Sequence, residues 1–206
     1  MKHYLTLSLF LFSTNALSQD TVRHHVGGYC DGCEAMYLQM PKSMSWYTSI
    51  ADSRERGEPL EIEGTIYRLD GKTPAPNVIL YVYHTDAKGL YSPSSTTPRG
   101  ARRHGHLRGW LKTDSSGRYK FRTIRPASYP NSRNPAHIHP IIKEPNRNEY
   151  YFDEYLFDGD PFITKQERDR REPRCGSGII TVARGRDGVW RGFRNIILGL
   201  NIPDYK

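Results

Sequence analysis

The chain never holds one hydrophobic period for long. From residue 60 onward, short extended runs alternate with clusters of Gly, Pro, Asp and Ser. Residues 60–69 alternate apolar and polar side chains and are rich in β-branched residues, the period-two pattern of a half-buried strand. Asp70-Gly71-Lys72-Thr73-Pro74 is turn chemistry. Further extended runs cover residues 78–84, 110–112, 118–123, 135–142, 178–183 and 189–198. Thr113-Asp114-Ser115-Ser116-Gly117 and Arg184-Gly185-Arg186-Asp187-Gly188 each read as the turn of a hairpin. Residues 92–107 read as a polar loop and residues 161–172 as one short charged helix. This pattern predicts an all-β chain: an antiparallel β-sandwich core with long loops, an N-terminal arm and at most one or two short helices.

Composition narrows the class. Of 206 residues, 36% are hydrophobic and 25% charged, too apolar for a disordered chain and too polar for a membrane bundle. No stretch reaches the roughly 18 uninterrupted apolar residues of a spanning helix. The net charge of +8 could draw nucleic acid, anionic lipid or small anions. Its clusters lie at residues 99–108 and 168–174, the second interleaved with Glu167, Asp169 and Glu172 as on a solvated face. With no RNP, zinc-finger or basic-zipper pattern, no nucleic-acid partner is expected. The sequence leaves open whether copies associate as a homo-oligomer.

Residues 1–18 have the form of an export signal: Lys2, an apolar run over residues 5–12, then Ala16 and Ser18 before Gln19. The expected organisation is a signal peptide over 1–18, an arm over 19–57 and a sandwich domain over 58–206, in a protein exported to the periplasm or beyond the cell. The arm shows no sustained period, apart from a short helix expected near residues 33–40. An oxidising compartment suits Cys30-Asp31-Gly32-Cys33 as a local disulfide. A zinc ribbon lacks its second CxxC, haem attachment would need His where Glu34 stands, and a redox pair lacks its βαβ context. Cys175 is then unpaired or buried.

The sharpest local feature is His137-Ile138-His139. On a strand, residues i and i+2 face the same way, so this spacing aims two imidazoles at one point and turns Ile138 into the packing. Two polar residues on a wet strand face would share that spacing. A zinc hydrolase needs a third His or a carboxylate. A cupin needs a further His downstream, and none follows His139. His104-Gly105-His106 is a second pair, and four imidazoles could form a copper or zinc site. Tyr129, in a segment stiffened by Pro126 and Pro130, and Tyr91, just after a strand, offer another donor type. Each alone reads as core packing or a strand-end hydrogen bond. Together with His137 and His139 they would make a ferric site with an open position. Phenolate is a hard donor, and its free pKa of about 10 means that only a strong Lewis acid holds it ionised at neutral pH.

Taken in order, residues 64–71, 78–91, 108–130 and 135–139 resemble the intradiol ring-cleavage dioxygenases, the catechol and protocatechuate 3,4-dioxygenase type. The ordered run TDxxGxYxFxTIxP…YP…PAHIH carries the resemblance, which spans roughly residues 60–200. It implies a non-haem Fe(III) held by Tyr91, Tyr129, His137 and His139, with Tyr129 the ligand that leaves when substrate chelates. It implies a catechol-type substrate, O₂ as co-substrate, ring cleavage to a muconate-type diacid, and no organic cofactor. The family carries Arg immediately before the Pro of PAHIH; this chain has Asn134 there, with Arg133 one residue earlier. Asn134 and Arg133 are therefore the expected charge-stabilising positions beside the base Tyr129. Glu154 stands where the family has Gln, and the stretch from Tyr129 to His137 is shorter. Asn134 is also what a non-enzymatic secreted β-sandwich binding module would tolerate, and His104, His106, His137 and His139 would serve a copper/zinc oxidoreductase.

Overall fold

The computed structural model describes residues 25–206, so the leader falls outside the described residues. Twelve strands follow in order: β1 (Tyr47–Ser49), β2 (Pro59–Tyr67), β3 (Ile79–His84), β4 (Arg108–Lys112), β5 (Arg118–Ile124), β6 (His137–Lys143), β7 (Glu149–Tyr151), β8 (Tyr155–Phe157), β9 (Ile179–Ile180), β10 (Val182–Arg184), β11 (Trp190–Phe193) and β12 (Ile196–Ile197). They form two sheets. One runs β1-β5-β2-β11-β10 with β12 beside β2; the other runs β4-β3-β6-β8-β9 with β7 beside β6. The fold is an all-β sandwich. No helix among the described residues is long and apolar enough to cross a membrane.

Alternation builds the core. Leu60, Ile62 and Ile66 of β2 point inward and are fully buried, while Glu61 and Glu63 face out and meet Lys120 of β5 at 3.0 and 3.6 Å. Leu80 and Val82 of β3 and Ile138 and Ile142 of β6 close the same core from the opposite sheet. Each such side chain contributes about 1.5–3 kcal/mol by leaving water. Since Ile138 faces the core, His137 and His139 face outward from their sheet.

Three expectations change. The sheets are mixed: β1–β5, β2–β11, β2–β12 and β8–β9 pair in parallel, because these strands join through long connections rather than tight turns. Residues 113–117 form a tight turn, with Asp114 Oδ1 accepting from the Ser116 and Arg118 amides, but no hairpin. Buried Thr113 donates its hydroxyl to Ala75 O (2.7 Å) and accepts from the Val78 amide (2.9 Å). The chain thereby passes from β4 in one sheet to β5 in the other. The charged helix of residues 161–172 is only α1 (Lys165–Arg168), started by a Thr164–Glu167 capping box. The second hairpin, β10–β11, forms as read.

The arm is not a loose end over its described part. Its short helix is a 3-10 turn, Cys33–Tyr37, packed on the outer face of the histidine-bearing sheet. Cys33 and Met36 bury against Tyr81 and Ile141, and Trp110 Nε1 donates to Met36 O at 2.6 Å. Further on, β1 pairs with β5. Cys30 and Cys33 form a disulfide, and Cys175 is free and buried.

Candidate metal centre

Three segments meet at the outward face of β6. The first is the loop after β3. Asp86 organises it by accepting from the Lys88 and Leu90 amides and from the Ser92 hydroxyl, and Tyr91 stands between the last two. The second is the segment carrying Tyr129. Thr85 ties it to the first by donating to Ala127 O at 2.7 Å. Gly89, at φ +78°, lets the two backbones touch; a Cβ there would lie 2.0 Å from Ser128 O. The third is β6 itself.

The donor atoms converge. Tyr91 Oη lies 2.9 Å from Tyr129 Oη, which lies 2.9 Å from His137 Nε2 and 3.5 Å from His139 Nε2. The two imidazole Nε2 atoms are 3.0 Å apart. His137 Nδ1–H donates to Pro135 O at 2.7 Å, so its Nε2 presents a lone pair. Behind His139, Nδ1 faces Glu154 Oε1 at 3.6 Å. Burial pushes both phenols above the ordinary tyrosine range, and for Tyr91 the hydrogen bond with Tyr129 adds to it. Burial and the neighbouring His139 hold His137 below the usual imidazole value. Burial alone would raise Glu154, but its bond to His139 outweighs this and holds the carboxyl down at about 2. Among the described residues no group of three or more His, Cys, Asp or Glu could hold a metal. Any metal bound here needs the phenols.

A cavity of about 370 Å³ opens on this cluster. Tyr129, His137 and His139 form one wall; Asn134, Glu154, Arg168 and Arg170 lie around it. Asn134 is thus beside the cavity, whereas Arg133 is exposed and does not line it. The guanidiniums at the cavity come from an unexpected quarter: Arg168 of α1, held at 2.8 Å by Asp158, and Arg170 just after it, held at 2.8 Å by Asp153. Nothing in the local spacing ties residue 170 to residues 134–139, so only the tertiary structure reveals it.

The four-imidazole arrangement does not form. His104 ends a 3-10 turn, Arg99–His104, that replaces part of the expected loop. Its ring stacks on Tyr83, which separates it from His139. His106 turns away, with Nδ1 2.6 Å from Ser92 O and Nε2 2.7 Å from Glu55 Oε2. Both its nitrogens face acceptors. Burial alone would lower this imidazole, but the Ser92 carbonyl and the Glu55 carboxylate outweigh that and raise it.

Fold and site together define a β-sandwich that gathers two phenols and two imidazoles at one point beside a cavity. The family model described as dioxygenase matches residues 36–168, and the chain belongs to the intradiol ring-cleavage dioxygenase family. It is 30% identical over 125 residues to catechol 1,2-dioxygenase 1 of Acinetobacter lwoffii, covering 53% of this chain and 39% of that protein. The chain thus spans well under half the length of that relative. Among solved structures, the dioxygenase domain of a dioxygenase carbohydrate-binding protein fusion from Streptomyces sp. SirexAA-E superposes with a TM-score of 0.57 at 21% identity, covering 78% of this chain and 94% of that one. Catechol 1,2-dioxygenase from Acinetobacter sp. ADP1 gives 0.55 at 24% identity, covering 75% and 57%. These superpositions share the fold.

Proposed function

We propose that this chain is a non-haem Fe(III) dioxygenase that cleaves a catechol-type aromatic between its two hydroxylated carbons. One catechol and one O₂ give one muconate-type diacid, with both oxygen atoms retained and no external reductant. The observation that carries this reading is the Nε2–Nε2 approach of 3.0 Å. His137 Nδ1–H is committed to Pro135 O, so its Nε2 lone pair faces both His139 Nε2 and the Tyr129 hydroxyl. A cation there would be held by both nitrogens once His139 carries its proton on Nδ1. Atoms bonded at about 2 Å to one small ion sit about 3 Å from each other, close to the separations here. Two phenol oxygens among the donors favour a hard, strongly acidic ion.

Tyr91, Tyr129, His137 and His139 would hold the iron. When bound, ferric iron supplies Lewis acidity and a template for the diol oxygens. Tyr129 lines the cavity, so its oxygen is placed to accept a proton from a substrate hydroxyl. Tyr91 lies behind it and holds its hydrogen bond. Pro135 O fixes the His137 tautomer, and the Glu154 carboxylate faces His139 Nδ1 at 3.6 Å. Asn134 offers a neutral amide at the wall, and Arg170 the charge. The test is iron reconstitution followed by absorption spectroscopy and oxygen uptake across a panel of catechols. The expected result is a visible phenolate-to-iron band and stoichiometric diacid. Colourless protein without uptake after reconstitution overturns the reading.

The apolar leader and the Cys30–Cys33 disulfide support export, with cleavage ahead of Gln19. N-terminal sequencing of the exported protein should begin at Gln19; full-length protein confined to the cytoplasm overturns export.

A further inference from the structure

The two His-X-His pairs leave His104 without a catalytic task, yet it is among the more deeply buried polar residues, at 2% exposure. Its ring lies flat on Tyr83, with centroids 3.6 Å apart and planes 3° apart. The opposite neighbour of Tyr83 is His139, at 4.7 Å and 19°. The register of β3 and β6 places Tyr83 directly across from His139, so this contact is built into the sheet. Tyr83 also lies 6.0 Å from the Tyr91 ring. His104 itself is anchored from below, with Nδ1 2.9 Å from the hydroxyl of buried Tyr81.

We infer that His104 is a positioning residue for the donor cluster: its flat ring clamps the Tyr83 ring against His139 and thereby sets the plane of that imidazole. The inference rests on reading His139 as one of the metal-holding residues. Without the His104 ring, one face of Tyr83 opens onto the cavity of about 160 Å³ that Tyr83, His104, Asp31 and Arg103 share with Tyr91 and His139. Tyr83 can then leave its rotamer, and the His139 ring loses the stacking that fixes its plane.

The experiment uses the whole chain and two readouts. In iron-free protein, NMR of the His139 ring reports the ring-current shift imposed by Tyr83. In reconstituted protein, competition with a chelator reports Fe(III) affinity and the visible band reports the donor geometry. His104→Ala should collapse the His139 shift and weaken Fe(III) binding by about 10–100-fold. His104→Phe, which keeps a flat ring, should hold both within about twofold. If His104→Ala does not fold, His104→Asn keeps a partner for Tyr81 while removing the ring, and should behave as His104→Ala was expected to. Unchanged His139 signals in the folded ring-deleted variant overturn the inference, as does a His104→Phe variant that loses as much. Should the unaltered protein bind no Fe(III), the enzyme reading fails, and the His139 signals still decide the positioning role.

Discussion

Two segments of this chain share one motif and meet opposite fates. His137-Ile138-His139 lies on β6, where the strand's pleat sends both rings outward and their Nε2 atoms close to 3.0 Å. His104-Gly105-His106 lies where a 3-10 turn ends, and Gly105 at φ +67° swings the chain around. Its two rings diverge, one under Tyr83 and one onto Glu55. A His-X-His spacing therefore specifies convergence only when the backbone between the rings is extended. The same comparison holds for protonation. His104 is held down to about 3 by burial and the nearby Arg103, which outweigh Asp31, whereas His106 is raised.

The largest expected effect separates the pairs outright. His137→Ala or His139→Ala should lower Fe(III) affinity by more than about 100-fold, since each removes a donor rather than a support. His106→Ala should leave iron content unchanged. Equal loss from both pairs, measured by metal analysis after reconstitution, would erase the distinction. Next, Gly105→Ala should cost about 1–3 kcal/mol in thermal or denaturant unfolding, because it adds a Cβ at positive φ about 3.0 Å from the Tyr91 backbone. The corresponding Ile138→Val should cost only about 0.5–1.5 kcal/mol, because it trims the core without bending the strand.

Acid then tells the two apart by sign. His104 has a depressed folded pKa, so its neutral form stabilises the fold above about pH 6.5, and that contribution is lost as pH falls toward about 3. In iron-free protein its share of the slope approaches about 1.4 kcal/mol per pH unit in that window. His104→Phe should flatten it. His106 has a raised folded pKa, so its contribution is fully present below about pH 6.5 and disappears as pH climbs through the raised value. For this partly exposed pair the effect is the smallest, under about 1 kcal/mol, and His106→Gln should abolish it. Unfolding free energy against pH for the two variants checks both signs, and slopes of the same sign would contradict the assigned environments.

Much of the fold was legible. The alternation of residues 60–69 and the turn residues after it announce β2 and its exit, because pleat and turn chemistry are local. The strands that went unread, β1, β7 and β8, are three residues each, too short to show a period, and β1 and β8 hold their places through partners farther along the chain. Residues 113–117 show the limit of turn chemistry. It specifies a reversal, but whether the two arms pair with each other depends on the grip of Thr113 on Ala75 and Val78. The metal-site candidates could be named from the sequence because two imidazoles on one strand form a local constellation and the tyrosines sit in ordered motifs. Tyr83, Arg170 and the support role of His104 could not, since each acts through a residue distant in sequence.

By itself, then, the sequence determined that this is a chain of short strands, with an imidazole pair on one of them and an isoleucine turned inward between the rings. Periodicity and backbone preference are properties of neighbouring residues and survive without a fold. Only the tertiary structure decided which of the two histidine pairs would gather donors. Only there does the β3–β6 register lay Tyr83 on His139, and only there does Gly89 admit Ser128 so that the two tyrosine loops meet. Those are contacts between separate segments, and they exist only once the sheets have packed.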